Sequence, residues 1–341
     1  MTTPAAEARH DNVADLVLEG GGVKGIALTG AVWAFDDEQW TFPRIAGTSA
    51  GAMVGAVLAA LQGAGEPLSQ VVELAKTLDY RKFRDRGFPG SWLGPLGVVT
   101  DPLAVVLEQG AYEGDYLHDW IRGVLADLGV HTFGDLKRVD PDGDGQVHHE
   151  YSLVVTASDI SRKRLTYLPW DYADYGLDPD EQSVADAVRA SASIPYFFEP
   201  VTLAGKAGRS TLVDGGLLSN YPISVFDRLD ERPPRWATIG VRLDALGIGA
   251  EPAPEPVRSV VRMGLALIET AIEANQAEHV LNPCNVSRSV YVDTRDVGAV
   301  DFSVSEAEQR LLIERGHVAA TEFLSSWDYT AWLKDCRPAW V

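Results

Sequence analysis

Positive charge is scarce in this sequence: 29 lysines and arginines stand against 49 aspartates and glutamates, a formal net charge of −20. Nucleic-acid binding needs clustered cations that displace counterions from phosphate, so this balance argues against a nucleic-acid partner. It also disfavours docking on anionic lipid by bulk electrostatics, leaving that task to a local patch. Cysteine is scarcer still. The two present, Cys284 and Cys336, make no disulfide framework and are expected to be separate packing residues in a reducing, cytoplasmic setting. Long apolar runs are missing as well. The longest small-apolar stretch, "AGAMVGAVLAAL" at 50–61, is too short to span a bilayer, and "MTTPAAEARHDN" at 1–12 has no apolar signal core. Any lipid contact is therefore expected to be peripheral, at an inner membrane surface or a micelle. No internal repeat or long low-complexity linker interrupts the chain.

What is present is ample for a large buried core: 341 residues, 46% of them apolar. Strand and helix patterns alternate. Val13–Leu18, 42–46, 151–157, 163–169, the stretch "RSTLVDGG", 236–243 and 286–293 read as strands. Residues 25–37, 50–61, 68–79, 115–128, 183–193, 257–280 and 305–327 read as helices. This order predicts α/β layers around a central, mostly parallel sheet flanked by helices. The Pro-rich stretch 249–257 is the best linker candidate. The expected division is an N-terminal tail at 1–12, a catalytic domain at 13–230, and a C-terminal α/β extension at 231–341 packed on the core.

"LVLEGGGVKGIAL" at 16–28 joins a strand to a helix through four glycines, and it admits three readings. Gly20, Gly22 and Gly25 fit the G-x-G-x-x-G dinucleotide fingerprint. That fingerprint needs an acid at the tip of the second strand, and Asp36, Asp37 and Glu38 come before that strand. A P-loop fits poorly, because Gly25 follows Lys24 where Ser or Thr is required. The third reading is an oxyanion hole, in which backbone N–H groups at a helix start stabilise charge developing on an acyl carbonyl. Lys24 would add charge there, or simply sit in solvent at the helix start.

The second motif weighs toward the third reading. "GTSAG" places Gly47, Ser49 and Gly51 between a short strand and an Ala-rich helix, the context of a nucleophile elbow. A serine hydroxyl needs a base. None of the seven histidines (His10, His118, His131, His148, His149, His279, His317) has a telling context. Asp214, at a strand end before Gly215 and Gly216, is a better base candidate, although Asp-Gly-Gly also serves as an ordinary turn.

Four stretches in order, "EGGGVKGIALTGA" (19–31), "IAGTSAGAMVGA" (45–56), "VADAVRASASIPYFFEPV" (184–201) and "LVDGGLLSNYP" (212–222), resemble the patatin-like phospholipase family. "YSLVVTASDI" (151–160) is similar to the family's central strand. The resemblance covers about residues 13–225 and implies a three-layer patatin-like fold. It also implies a serine–aspartate dyad without histidine, with Ser49 as nucleophile and Asp214 as base. Gly20, Gly21, Gly22, Lys24 and Gly25 match the oxyanion loop, Gly47 and Gly51 the elbow, and Gly215 and Gly216 the turn after the base. The implied activity is hydrolysis of fatty-acyl esters of phospholipids, lysophospholipids or neutral glycerolipids, with no metal or cofactor.

A free aspartate is a weak base at neutral pH, so this reading expects burial to raise the Asp214 pKa. Other readings stay open. A histidine triad in the order Ser49, Asp214, then His279 or His317 would suit an α/β-hydrolase, and a lipid-binding scaffold without turnover is a third. "GFPGSWLGPLGVV" (87–99) reads as a lid or as a loop packed on the core, and "SIPYFF" (193–198) as acyl-tunnel lining or core. "DPDGDGQVHHE" (140–150) approaches a calcium loop, but Tyr151 stands where the bidentate Glu belongs, which favours a solvated acidic turn.

Overall fold

The computed structural model describes residues 12–83, 114–138, 150–228, 236–243 and 282–336 (except 196 and 207), together with parts of 263–274. The expected loop at 87–99, the acidic turn up to 149, the linker at 249–257 and most of the helix at 257–280 lie outside the described residues. The described positions within 263–274 are helical.

Five strands form the parallel centre: β1 (Ala14–Leu18), β2 (Ile45–Gly47), β3 (Leu153–Asp159), β7 (Ala237–Arg242) and β8 (Ser289–Tyr291). Their spatial order is β3-β2-β1-β7-β8. Three antiparallel strands extend the β3 side: β4 (Arg164–Leu168) and β6 (Gly208–Asp214) both pair with β3, and β5 (Val201–Gly205) pairs with β6. The sheet is therefore mixed and mostly parallel. Every residue of β1, β3 and β7 is buried, as parallel strands covered on both faces should be. β5 alternates half-buried with exposed positions, the mark of an edge strand. Sequence reading had no strand there.

Alternate strand residues feed two apolar clusters. Leu16, Leu18, Ile45, Leu153 and Val155 join the large core beneath the helices, whereas Val17, Ala46 and Val154 meet Tyr221, Ile223 and Phe226. The helices of the large core are α1 (Ile26–Asp37), α2 (Ala50–Ala64), α3 (Gln70–Lys76), α4 (Gly114–Asp127), α5 (Val184–Ser191) and α7 (Glu306–Ser326), α6 being the short turn Pro283–Val286. α1 and α7 touch backbone to backbone. A Cβ at Gly30 would fall 1.8 Å from the Ile313 carbonyl oxygen, and one at Gly316 would fall 2.0 Å from that of Ala27.

The cysteine expectation is corrected. Cys284 and Cys336 form a disulfide, because α8 (Tyr329–Cys336) folds back on α6. The Trp332 indole N–H donates to the Cys284 carbonyl at 3.0 Å in the same contact. The two cysteines are 52 residues apart, and sequence spacing alone gives no distance between them. The bond removes the cysteine argument for a reducing compartment.

Candidate active site

Strand register sets the site. Gly47, the last residue of β2, pairs with Leu18 of β1 on one side and Val155 of β3 on the other. Asp214 ends β6 opposite Ala157, two residues further along β3. Ser49 lies two residues past Gly47, and Gly20 two past Leu18. Three distant segments therefore reach one level, at the carboxyl edge of the parallel strands, where α/β sheets bind ligands.

Ser49 holds φ +53° and ψ −119°, the strained turn of an elbow. For a non-glycine residue such backbone costs about 1–3 kcal/mol and persists only when its surroundings fix it. Here the Ser49 N–H donates to Ser191 Oγ at 2.8 Å. Thr48 Oγ1 donates to the Ser219 carbonyl at 3.0 Å, so Thr156 Oγ1, 2.6 Å away, is the donor to Thr48. No side chain fits at the flanking glycines: a Cβ at Gly51 would lie 2.2 Å from the Leu18 carbonyl oxygen, and one at Gly47 would lie 2.3 Å from that of Gly51.

Asp214 is 6% exposed. Its Oδ1 accepts the Gly216 N–H at 2.7 Å, and its own N–H donates to the Ser193 carbonyl at 2.9 Å. Burial pushes its carboxyl up to about 6, against the opposing pull of the Ser49 hydroxyl and the Gly216 N–H. The Ser49 hydroxyl thus acts on this carboxylate, yet Oδ2 is buried without a completed hydrogen bond. A raised pKa and an acceptor atom with spare capacity are what a general base requires. Behind it, Gly215 sits so close to β3 that a Cβ would meet Thr156 Oγ1 at 2.4 Å.

The glycine loop closes the third side. Gly20 and Asn220 bond reciprocally: the Gly20 N–H donates to the Asn220 carbonyl and Asn220 Nδ2 donates to the Gly20 carbonyl, each at 3.0 Å. The Val23 and Lys24 N–H groups are taken by the Ala299 and Gly21 carbonyls. Gly21 and Gly22 donate to no described residue, so two adjacent amides keep their donors. Gly22 has φ +55°, and a Cβ there would fall 2.0 Å from the Ala299 carbonyl oxygen. Gly25 presses on Ala50, beside the nucleophile, where a Cβ would lie 2.4 Å from the Ala50 Cβ. Lys24 is half-buried on the turn that leads into α1.

Several residues of this assembly lie inside the stretches that resemble the family but had no role assigned from the sequence. Ser191 and Ser193 sit in "RASAS", which reads as helix; together they hold the amides of Ser49 and Asp214. Glu19, 3% exposed, anchors the loop to β7 by accepting the Leu243 N–H at 2.5 Å and facing Arg242 at 3.5 Å. The histidine reading is corrected for His317: its ring lies tilted against Trp33, with centroids 4.4 Å apart, and pairs with Asp37 at 2.9 Å, on the helical face formed by α1 and α7. His118 pairs with Asp186, and His10, His148, His149 and His279 lie outside the described residues.

The family model "Patatin-like phospholipase" matches residues 16–227. An uncharacterized protein of Bacillus subtilis, YqhO, is 36% identical over 315 residues, spanning 92% of this chain and 99% of its own length. Patatin-like protein 1 of Arabidopsis thaliana is 26% identical over 62% of this chain, which spans 50% of the plant protein. Among solved structures, VipD from Legionella pneumophila shares the fold, with a TM-score of 0.54 and 20% identity over 92% of this chain and 67% of VipD.

Proposed function

Because this chain belongs to the patatin-like phospholipase family, we propose that it is a lipid acyl hydrolase that cleaves fatty-acyl esters through Ser49 and Asp214. One observation carries the reading: the strained, buried Ser49 faces a buried carboxylate with a raised pKa, beside two amides that keep their donors.

Asp214 Oδ2 takes the Ser49 proton as Oγ bonds to the ester carbonyl carbon. The Gly21 and Gly22 N–H groups hold the oxyanion, each such donor being worth about 3–4 kcal/mol in a transition state. Collapse breaks the ester bond, and the departing alcohol or lysolipid receives the proton from Asp214. Water then loses a proton to Asp214 and attacks the acyl carbon. The fatty acid leaves as Ser49 Oγ recovers that proton. Lys24 adds positive charge beside the oxyanion. The base, the nucleophile and the donors all come from the chain, so the scheme draws on no metal or cofactor. Phospholipids, lysophospholipids and neutral glycerolipids are the substrate classes, met at a membrane or micelle surface. Among the described residues no helix is long and apolar enough to cross a membrane.

The test is fatty-acid release by purified wild type, Ser49→Ala and Asp214→Ala against a panel of these lipids. Release by the wild type, lost by a thousandfold or more in both variants, is the expected result. Equal turnover by all three would refute it, and lipid binding without turnover by the wild type would favour a scaffold.

A further inference from the structure

Glycine has more backbone freedom than any other residue, so a glycine loop does not hold its own shape. An oxyanion hole nevertheless needs its donors fixed about 3 Å from the place where the oxygen will be. The segment from Glu19 to Gly22 must therefore be held from outside. Asn220 clamps Gly20 through two hydrogen bonds of 3.0 Å. Glu19 reaches the end of β7, where it accepts the Leu243 N–H and faces Arg242 at 3.5 Å. The Leu243 side chain in turn lies against Gly21, where a Cβ would fall 2.5 Å from Leu243 Cδ1. These two anchors converge on one side chain. We infer that Tyr221 is a positioning residue for the oxyanion hole, holding the Gly21 and Gly22 amides in place over Ser49; the assignment rests on the acyl-hydrolase reading above.

Tyr221 is 2% exposed and sits in the smaller apolar cluster with Val17, Ala46 and Ile223. It follows Asn220 in the chain, so wherever its side chain is fixed the clamp on Gly20 is fixed too. The Arg242 guanidinium carbon lies 5.3 Å from the centre of its ring, which places Tyr221 behind the cation that faces Glu19. The phenol passes over β7 at Gly240, where a Cβ would fall 1.7 Å from its oxygen. Gly240 is the register partner of Ser289 on β8, and the hydroxyl ends there, 2.6 Å from Ser289 Oγ. Ser289 Oγ donates to the Asn285 carbonyl at 2.6 Å, so Tyr221 is the donor of this bond. A phenylalanine would fill the same apolar space. What the hydroxyl adds is a directional pin, in a place where a polar group is tolerated only when paired. The proposed reaction makes no other use of it, and its burial beneath β7 keeps it from the substrate.

Tyr221→Phe keeps the ring and its contact with Arg242 and removes only the pin; Ser289→Ala removes the acceptor. For each variant kcat and KM are measured on an octanoyl ester well below its melting temperature. Two affinities are compared. An octyl trifluoromethyl ketone is attacked by Ser49 Oγ at its carbonyl carbon, giving the proton to Asp214 and the carbonyl π pair to an oxyanion in the hole. Octanoate forms no such adduct. Amide hydrogen exchange across 16–28 reads the loop without any turnover. The expected result is that both variants lower kcat and ketone affinity together by about ten- to thirtyfold, with the double variant no worse than either. KM, octanoate affinity and the rise in rate near pH 6 set by Asp214 stay in place, while exchange across 16–28 quickens by about tenfold or more. Unchanged kcat, ketone affinity and exchange would overturn the assignment and leave the hydrolase reading standing. Equal losses of ketone and octanoate affinity would also overturn it, since they mark a general loosening of the fold. Absence of turnover by wild type, with exchange still faster in both variants, would overturn the hydrolase reading and keep Tyr221 as the anchor of the loop.

Discussion

Asp214 sets catalysis against stability at a single position. Its carboxyl is raised to about 6 in the folded chain, from an ordinary value of 3.8. Between those values the folded state holds the proton and the unfolded state releases it, so folding stability falls as pH rises through this window. The cost is absent below the unfolded value, complete above about 6, and on the order of 3 kcal/mol for a shift of this size. Asp214→Asn removes the charge and retains an acceptor for the Gly216 N–H. We expect that variant to be inactive yet more stable than wild type at pH 7.5 by roughly 2–3 kcal/mol, with the gap closing toward pH 4. Urea unfolding at both pH values checks it, and a variant less stable at neutral pH would show that burial is not what raises the pKa. Ser191 is the second such position. Without its Oγ, the Ser49 N–H has no partner in a buried turn. Ser191→Ala should lower kcat by about ten- to a hundredfold with little change in KM, because a nucleophile displaced by about 1 Å loses that much. A loss confined to KM would assign Ser191 to substrate binding instead.

Among the elements, the catalytic strands and helices were readable because local chemistry announces them. An apolar run ending in glycines, and a Ser between glycines before an Ala-rich segment, each dictate a strand, a tight turn and a helix. Ser49, Asp214 and the glycine loop were named from such patterns, and the register of β1, β2, β3 and β6 brings them to one level. What stayed hidden depends on distance in space. β5 has weak alternation and Pro200 before it; it becomes a strand by pairing with β6. Ser191 and Asn220 are ordinary small polar residues until α5 and the segment after β6 deliver them to other backbones. The α1–α7 contact is similar: Gly316 inside a 21-residue helix reads as a weak spot, yet it admits the α1 backbone. Gly316→Val should therefore destabilise the protein by about 2–4 kcal/mol through overpacking against backbone that cannot retreat. Chemical denaturation measures it, and a neutral or stabilising outcome would mean that α7 does not seat on α1 as described.

Among the described residues of the C-terminal third, β7 and α7 pack directly on the catalytic segments. β7 pairs with β1 at the centre of the sheet, and α7 covers α1. The disulfide between Cys284 and Cys336 closes a span of 52 residues across α7 and α8. By loop entropy such a closure is worth about 4 kcal/mol relative to the reduced chain. Reductant should lower the denaturation midpoint of wild type and leave that of a Cys284→Ser/Cys336→Ser variant unchanged. Equal sensitivity in both would show that the bond does not stabilise the fold.

The central claim is that one buried carboxylate activates one strained serine, and the rate at which a small fluorophosphonate modifies the protein reads that activation directly. The account predicts a single adduct on Ser49, identified by mass spectrometry, forming at a rate that climbs through pH 6 to a plateau and collapses in Asp214→Asn. An adduct on another residue, or a Ser49 rate indifferent to Asp214→Asn, would contradict it.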